Sequence, residues 1–295
     1  MQVLKSNKMA NKVLCFGEVL WDAFGDEKKP GGAPMNVARH LRQQGIDAQM
    51  TSRIGADASG DELVAFLTCT GLYSNLIQRD VELPTCEVTV QLDEQNQATY
   101  IIPQPVSWDN VQADAAMIAA AKGADAIVFG SLACREYNTR AALHTLLDES
   151  HNLRAFDVNL RPPHYELTTI EALAARSQVI KMNEEEAIML IGCSHDDLRG
   201  KLIEFQKTYH NQTIIVTRGA EGALVWHDGH FYEHAGQQVQ VVDTVGAGDA
   251  FLATFVAGLL AGEQDIQKLL NKACAVGAYV TTQRGANPAY PEGLI

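Results

Sequence analysis

The chain has 295 residues, 46% hydrophobic and 20% charged, a composition that excludes a disordered segment and allows a sizeable buried core. Its 23 basic against 36 acidic residues give a net charge of -13, which argues against nucleic acid or an anionic membrane as partner, since both select clustered Lys and Arg. The longest apolar stretch near the end, Phe251 to Leu260, is too short to cross a bilayer, and the opening MQVLKSNKMANK has no apolar secretory core, so a cytoplasmic location is expected.

In chain order, Lys12 to Phe16 reads as a first apolar strand, with Gly17-Glu18-Val19-Leu20-Trp21-Asp22 closing it. Gly31-Gly32-Ala33-Pro34-Met35-Asn36 opens a helix over Asn36 to Gln44, and a second amphipathic stretch covers Asp61 to Thr70. Cys86 to Leu92 and Ala98 to Ile102 alternate apolar with polar residues around Asp-Glu-Gln-Asn-Gln, the pattern of a hairpin. That hairpin is either a lid or an edge extension of a sheet. Beyond it, apolar runs at Ala126 to Phe129, Ala155 to Val158, Val179 to Lys181 and Thr213 to Thr217 alternate with helical stretches such as Asn138 to Glu149 and Leu198 to Tyr209. A second hairpin is expected over Ala223 to Glu233, turning at Asp228-Gly229. The alternation predicts an α/β fold of three layers, with helices on both faces of a mostly parallel central sheet. No low-complexity linker or internal repeat interrupts it, so residues 1–295 are expected to form a single domain with a small β insertion around 86–103.

The six cysteines (Cys15, Cys69, Cys86, Cys134, Cys193, Cys274) form no C-x-x-C pair and are expected to be reduced, buried, small apolar side chains. His227, His230 and His234 flank or follow the second turn without a Cys or an H-e-x-x-H neighbour, and read as hairpin histidines rather than metal ligands.

The strongest chemical signal is Val239 to Phe251, with QVVDTVGAGDAF within it. An apolar strand runs into Gly246-Ala247-Gly248 and on into an apolar helix. Glycines let backbone N–H groups converge and a helix N-terminus adds partial positive charge, so an anion should bind there. Asp249 stands in the first turn beside this hole, where a carboxylate can take a proton from an attacking hydroxyl as charge builds on a transferred phosphoryl group. Taken alone, an Asp in a first turn is more simply a complement to the helix dipole. A dinucleotide reading is weaker, because G-A-G-D lacks the third glycine and lies far from the first strand, and no G-x-x-x-x-G-K-[ST] loop occurs.

Other polar groups gather at strand ends. Asp22, facing Gly31, Gly32 and Asn36 at a helix start, suits the paired donors and acceptors of a polyol. Asp157, Asn159 and Arg161 are expected to share one side of an extended segment, with Arg161 meeting phosphate or sugar, or else making a surface ion pair. Asn183 and Glu186 have capping-box spacing, and the same pair could order water around Mg2+. Thr217, Gly219 and Gly222 form T-x-G-x-x-G, placed either for nucleotide phosphates or for a turn into the hairpin.

Taken in this order, these residues resemble the ribokinase-like sugar kinases, the PfkB carbohydrate kinases, from Gly17 through Asn287. Asp243-Thr244-Val245-Gly246-Ala247-Gly248-Asp249-Ala250-Phe251 is similar to that family's C-terminal signature, and Gly31-Gly32 with Asn36 to its N-terminal one. The resemblance implies a ribokinase-like fold with a small β lid inserted around 86–103, together with the 20–34 connection. It implies Asp249 as catalytic base, Gly246, Ala247 and Gly248 as the anion hole, and Asp22, Gly31, Gly32, Asn36 and Arg161 on the sugar. Asn183, Thr217, Gly219 and Gly222 would meet ATP, Glu186 would act on Mg2+ through water, and Asp243 with the Thr281 to Gly285 loop would hold a monovalent cation such as K+. Within the family, GEVLWD, the short connection to GGAPMNVA, DVNLRPP and Ser107-Trp108-Asp109 are most similar to fructokinases. The implied activity is ATP-dependent phosphorylation of fructose to fructose 6-phosphate. A kinase for ribose, 2-keto-3-deoxygluconate or a nucleoside, and a non-catalytic sugar-binding protein on the same scaffold, are the alternatives. Sugar and ATP are the implied small-molecule partners, and the lid strands could pair two subunits into a homodimer.

Overall fold

The structure, a computed structural model, describes residues 10–295 apart from 26, 74, 93–97 and 193–196. The residues expected to turn the first hairpin, and Cys193, therefore lie outside the described residues. The chain opens with β1 (Lys12–Phe16), β2 (Leu20–Phe24), β3 (Glu27–Gly31), α1 (Ala33–Gln43), β4 (Asp47–Gly55), α2 (Ala58–Cys69) and β5 (Ile77–Asp80). It continues through β6 (Glu87–Leu92), β7 (Ala98–Ile101), α3 (Ala115–Gly123), β8 (Ala126–Gly130), α4 (Tyr137–Asp148), β9 (Leu153–Asp157) and α5 (Leu167–Ala174). It closes with β10 (Val179–Asn183), α6 (Glu184–Ile191), α7 (Leu198–Tyr209), β11 (Thr213–Thr217), β12 (Ala223–His227), β13 (His230–His234), α8 (Ala247–Ala261) and α9 (Ile266–Thr281).

Both faces of β1 are buried, Val13 and Cys15 in one hydrophobic cluster and Leu14 and Phe16 in another. That is the mark of a strand inside a parallel sheet covered on both sides. The sheet has nine strands in the order β13-β12-β11-β10-β9-β8-β1-β4-β5, parallel from β11 to β5, with β12 and β13 added as an antiparallel hairpin. Met35, Leu63, Phe251 and Leu269 from α1, α2, α8 and α9 cover one face. Met117, Leu143, Ile170, Ala187 and Leu202 from α3 to α7 cover the other. The winding reverses between β1 and β8, and a crevice at the C-terminal ends of strands beside such a switch point is where open α/β sheets bind ligands.

A second, four-stranded sheet has the order β3-β2-β6-β7, with β2 and β6 parallel and the outer pairs antiparallel. The first hairpin thus belongs to this sheet and does not extend the main one. It rests on a small apolar cluster of Leu20, Cys86, Val88, Val106, Trp108, Leu132 and Ala133. Beneath it the Arg135 guanidinium lies 4.1 Å over the Trp108 ring, pairs with both oxygens of Asp109 at 2.8 Å, and donates to the Pro103 carbonyl where β7 has ended. The Ser107-Trp108-Asp109 run is therefore the footing of the second sheet.

Three expectations need correction. Asp22 does not close the first strand, because the chain turns at Gly17 (φ 146°) and restarts as β2 in the second sheet. The first helix begins three residues earlier than Asn36, since Gly32 caps it and Pro34, whose ring pre-sets a helical φ, fits its first turn. Cys69 is exposed, while Cys15, Cys86, Cys134 and Cys274 are buried thiols. The turn at Asp228-Gly229 has φ of 43° and 90°, the left-handed pair that a two-residue hairpin between right-twisted strands requires.

Candidate active site

The N-terminus of α8 opens onto a cleft of about 610 Å³ between the C-terminal ends of the main strands and the second sheet. Gly246 caps the helix with φ 81°, and a Cβ there would lie 2.4 Å from the Ala286 carbonyl oxygen, so the close approach of the 284–287 loop demands glycine. Ala247 turns its own N–H back to the Thr244 carbonyl at 3.4 Å. The amides of Gly248 and Asp249, first-turn groups with no partner inside a helix, remain to face an anion.

Asp249 lines the cleft and accepts a hydrogen bond at Oδ2 from Asn36 Nδ2 at 2.8 Å. The Asn36 carbonyl oxygen is in turn held by Asn287 Nδ2 at 2.6 Å, which fixes which end of the Asn36 amide meets the carboxylate. Removal from water, and then the charge of Asp157, push the Asp249 carboxyl up to about 6, against the opposing pull of Lys181, the Asn36 hydrogen bond and Arg161. A carboxylate with a raised pKa at the edge of an anion hole is equipped to accept a proton.

Asp22, Gly31, Gly32, Asn36 and Arg161 all line the same cleft. Gly32 has φ 114°, and a Cβ on it would meet the Glu18 carbonyl oxygen at 2.4 Å. Arg161 donates Nη1 to the Leu160 carbonyl, and its charge bears on Glu18, Asp22 and Asp249 together. Burial pushes Asp22 up to about 6 and Glu18 up to about 7. Glu18 is only 2% exposed; one oxygen accepts the Ala33 amide at 3.2 Å, and the other, Oε2, is buried without a partner among the described residues.

Asp157, Asn159 and Arg161 do not share one side. Asn159 takes φ 40°, a left-handed turn that breaks the two-residue alternation. Asn159 and Arg161 reach the cleft, whereas Asp157 turns inward and pairs with Lys181 Nζ at 2.8 and 2.9 Å.

Among the remaining expected residues, Asn183, Thr217 and Asp243 line the cleft, and Ala247, Glu186, Gly219 and Gly222 do not. Asn183 and Glu186 form the capping box of α6, and the Glu186 oxygens accept the amides of Asn183 and Leu160. Gly222 has φ 82°, and a Cβ there would sit 2.0 Å from the His234 carbonyl oxygen, so a chain crossing explains it. The Asp243 carboxylate accepts the amides of Val245 and Gly285, tying the segment before the anion hole to the loop after α9.

Glu18, Arg39, Lys181 and Arg284, none of them among the residues expected at the site, all line the cleft. Lys181 sits in an apolar strand pattern where one charged residue carries no period signal. Behind the site, His40 donates Nε2–H to the Ala286 carbonyl at 2.9 Å and accepts the Tyr290 hydroxyl at Nδ1 at 2.5 Å. Burial lowers His40 to about 4, so the ring is neutral and its tautomer is set by the carbonyl it serves.

A profile described as pfkB family carbohydrate kinase matches residues 7–293. The chain belongs to that family. Fructokinase of Escherichia coli is 26% identical over 301 aligned residues, spanning 96% of this chain and 97% of that protein. Fructokinase from Vibrio cholerae O395, solved in a fructose, ADP and calcium ion bound form, matches with TM-score 0.81 and 27% identity over 95% of each chain. An uncharacterized sugar kinase from Pyrococcus horikoshii in complex with ATP matches with TM-score 0.81 and 26% identity over 93% of this chain and 94% of that one. This sugar kinase has the ribokinase-like fold and is an ATP-dependent carbohydrate kinase. Among the described residues no helix is long and apolar enough to cross a membrane.

Proposed function

We propose that this sugar kinase transfers the γ-phosphoryl group of ATP to O6 of D-fructose, with Asp249 as general base. The observation that carries the reading is Asp249 itself, partly exposed to the cleft, raised to about 6, and one residue from the Gly248 amide at a helix N-terminus. Asp22, Asn36 and Arg161, with Gly31 and Gly32 allowing close approach, would hold the sugar hydroxyls so that the primary one faces Asp249. As the acceptor oxygen bonds to the γ-phosphorus, the bond to the β,γ-bridging oxygen breaks, ADP leaves, and the hydroxyl proton passes to Asp249. Gly246, Ala247 and Gly248 would shape the hole whose amides take up the developing charge, and such fixed donors typically supply a large share of phosphoryl-transfer catalysis.

Asn183 and Thr217 would face the nucleotide, with Gly219 and Gly222 shaping the turn behind it. The charges suit a magnesium nucleotide, since Asp157, Glu186 and Asp249 all act on the single ammonium of Lys181, leaving an excess of carboxylate. Mg2+ there would shield the phosphate oxygens, with Glu186 ordering its water through Asn183. Each Asp243 oxygen accepts one amide and keeps acceptor capacity, so Asp243 with the 281–285 loop would hold a monovalent cation such as K+. The second sheet would act as a lid, with Leu20, Val88 and Ile102 closing an apolar side over the sugar and excluding water as a competing acceptor. Its edge strands β3 and β7 are where a homodimer would form, and a cytoplasmic location suits an ATP-dependent enzyme with reduced cysteines.

Fructose is favoured by the GEVLWD, DVNLRPP and SWD segments and by the fructokinase relatives. Phosphorylation of fructose and ribose at matched concentrations, with ribose, 2-keto-3-deoxygluconate and nucleosides in the same panel, tests it. A kcat/KM for fructose above all others is expected, and preference for another acceptor would reassign the sugar while leaving the kinase chemistry intact. Sugar binding without ADP formation would make the protein a non-catalytic binder.

A further inference from the structure

Lys181 is the only buried lysine among the described residues, at 6% exposed, yet it lines the cleft. It stands on β10 one strand from β9, where Asp157 holds its ammonium from both carboxylate oxygens at 2.8 and 2.9 Å. A lysine ammonium has three donor hydrogens, and the third has no partner among the described residues. The ammonium also lies close to a glycine: a Cβ built on Gly248 would be 3.2 Å from Nζ, so Nζ rests against the residue whose amide heads the anion hole. An apolar side chain at 248 would wedge between the two.

We infer that Lys181 is a further catalytic residue, its free N–H and its charge directed at the phosphoryl group in flight between ATP and the acceptor. This rests on the phosphotransfer reading above. The bond changes are those given there; Lys181 gains and loses no proton, and contributes a fixed positive charge where the equatorial oxygens accumulate negative charge. Asp157 is its holder. A buried ammonium on a flexible stem would otherwise swing or lose its proton, and the two-oxygen grip keeps it charged and aimed.

Replacing Lys181 alone would strand Asp157 as a buried unpaired charge, so the informative variant is the double one, Lys181→Met with Asp157→Asn. The two charges act on Asp249 with opposite sign, so removing both together leaves the base in a similar field while deleting the phosphate contact. We expect the double variant to melt within a few degrees of the wild type, to keep its KM for the sugar within about threefold, and to lose roughly 10²-fold in kcat, the scale for loss of one charge-stabilising donor. A folded double variant with kcat within about threefold of wild type overturns the role of Lys181 and leaves the proposed function standing. Absence of ADP formation by the wild type with every sugar tested overturns both. A second readout uses wild-type protein carrying 15N at lysine Nζ. The slowly exchanging ammonium resonance of the buried lysine is expected to shift when ADP, Mg2+, aluminium fluoride and fructose are added together, and a resonance that stays in place contradicts the inference.

Discussion

Asn36 and Asp249, 213 positions apart in the chain, are joined by one hydrogen bond of 2.8 Å from the amide Nδ2 to the carboxylate Oδ2. A donor to a carboxylate favours its charged form, so this bond lowers a pKa that burial raises. In the wild type, kcat/KM is expected to rise with pH through about 6 as Asp249 loses its proton. In Asn36→Ala the acid limb should move to higher pH, as a pH–rate profile of both proteins will show; a limb that stays in place or moves down contradicts the assignment of that limb to Asp249.

The same carboxyl should cost stability. Its folded value near 6 lies above the ordinary 3.8, so between those values the folded state binds more protons than the unfolded one. Stability therefore falls as pH rises through that window, and the full cost persists above pH 6. Asp249→Asn keeps an oxygen for Asn36 and removes the charge. It should raise Tm at pH 7.5 by roughly 2–5 °C, with the difference vanishing near pH 4, in melting curves across that range.

Gly246 meets the backbone of Ala286 within 2.4–2.6 Å of where a Cβ would sit, and its φ is 81°. Gly246→Ala must displace either the helix N-terminus or the 284–287 loop. A loss of roughly 1–3 kcal/mol in stability and of most activity is expected from denaturant unfolding and turnover assays.

Much of this was legible beforehand, for identifiable reasons. Lys12–Phe16, Leu198–Tyr209 and Thr213–Thr217 have their expected bounds because their periodicity and their burial agree. The GAGD turn was readable from its glycines and the apolar helix that follows, but the apolar strand expected before it is not formed: the segment from 235 to 246 carries no strand, and Val239, Val241 and Val242 are exposed. The 20–34 connection was placed with the lid, but its strands β2 and β3 were not read, since Leu20–Phe24 and Glu27–Gly31 are short, and three of the five residues of β3 are charged and exposed. The Asp157 to Arg161 expectation failed at one dihedral angle, that of Asn159. Lys181 and Glu18 were missed because their surroundings are tertiary: nothing local to β10 announces the ion pair with Asp157, and nothing near Glu18 announces the burial of its carboxyl at the start of α1.

His40 links α1 to the loop behind the anion hole through Ala286 and Tyr290. Its folded value of about 4 lies below the ordinary 6.5, so the unfolded chain binds the extra proton first, and stability falls as pH drops from 6.5 towards 4. His40→Gln should lower Tm at pH 7.5, and its Tm should depend less on pH across that window than the wild type's.

Among the described residues Asp22 has no side-chain hydrogen bond like the one Asn36 gives Asp249, and its carboxyl faces the cleft beside Gly31. Asp22→Ala is expected to raise the sugar KM by roughly 10- to 100-fold with a smaller change in KM for ATP, as steady-state kinetics with each substrate varied will show.

The most direct test compares ADP release from ATP and fructose by the wild type and by Asp249→Asn. Turnover by the wild type and at least a roughly 10²-fold lower kcat in the variant, with its fold and ATP binding intact, is the predicted result. Equal turnover by the two proteins would contradict the account.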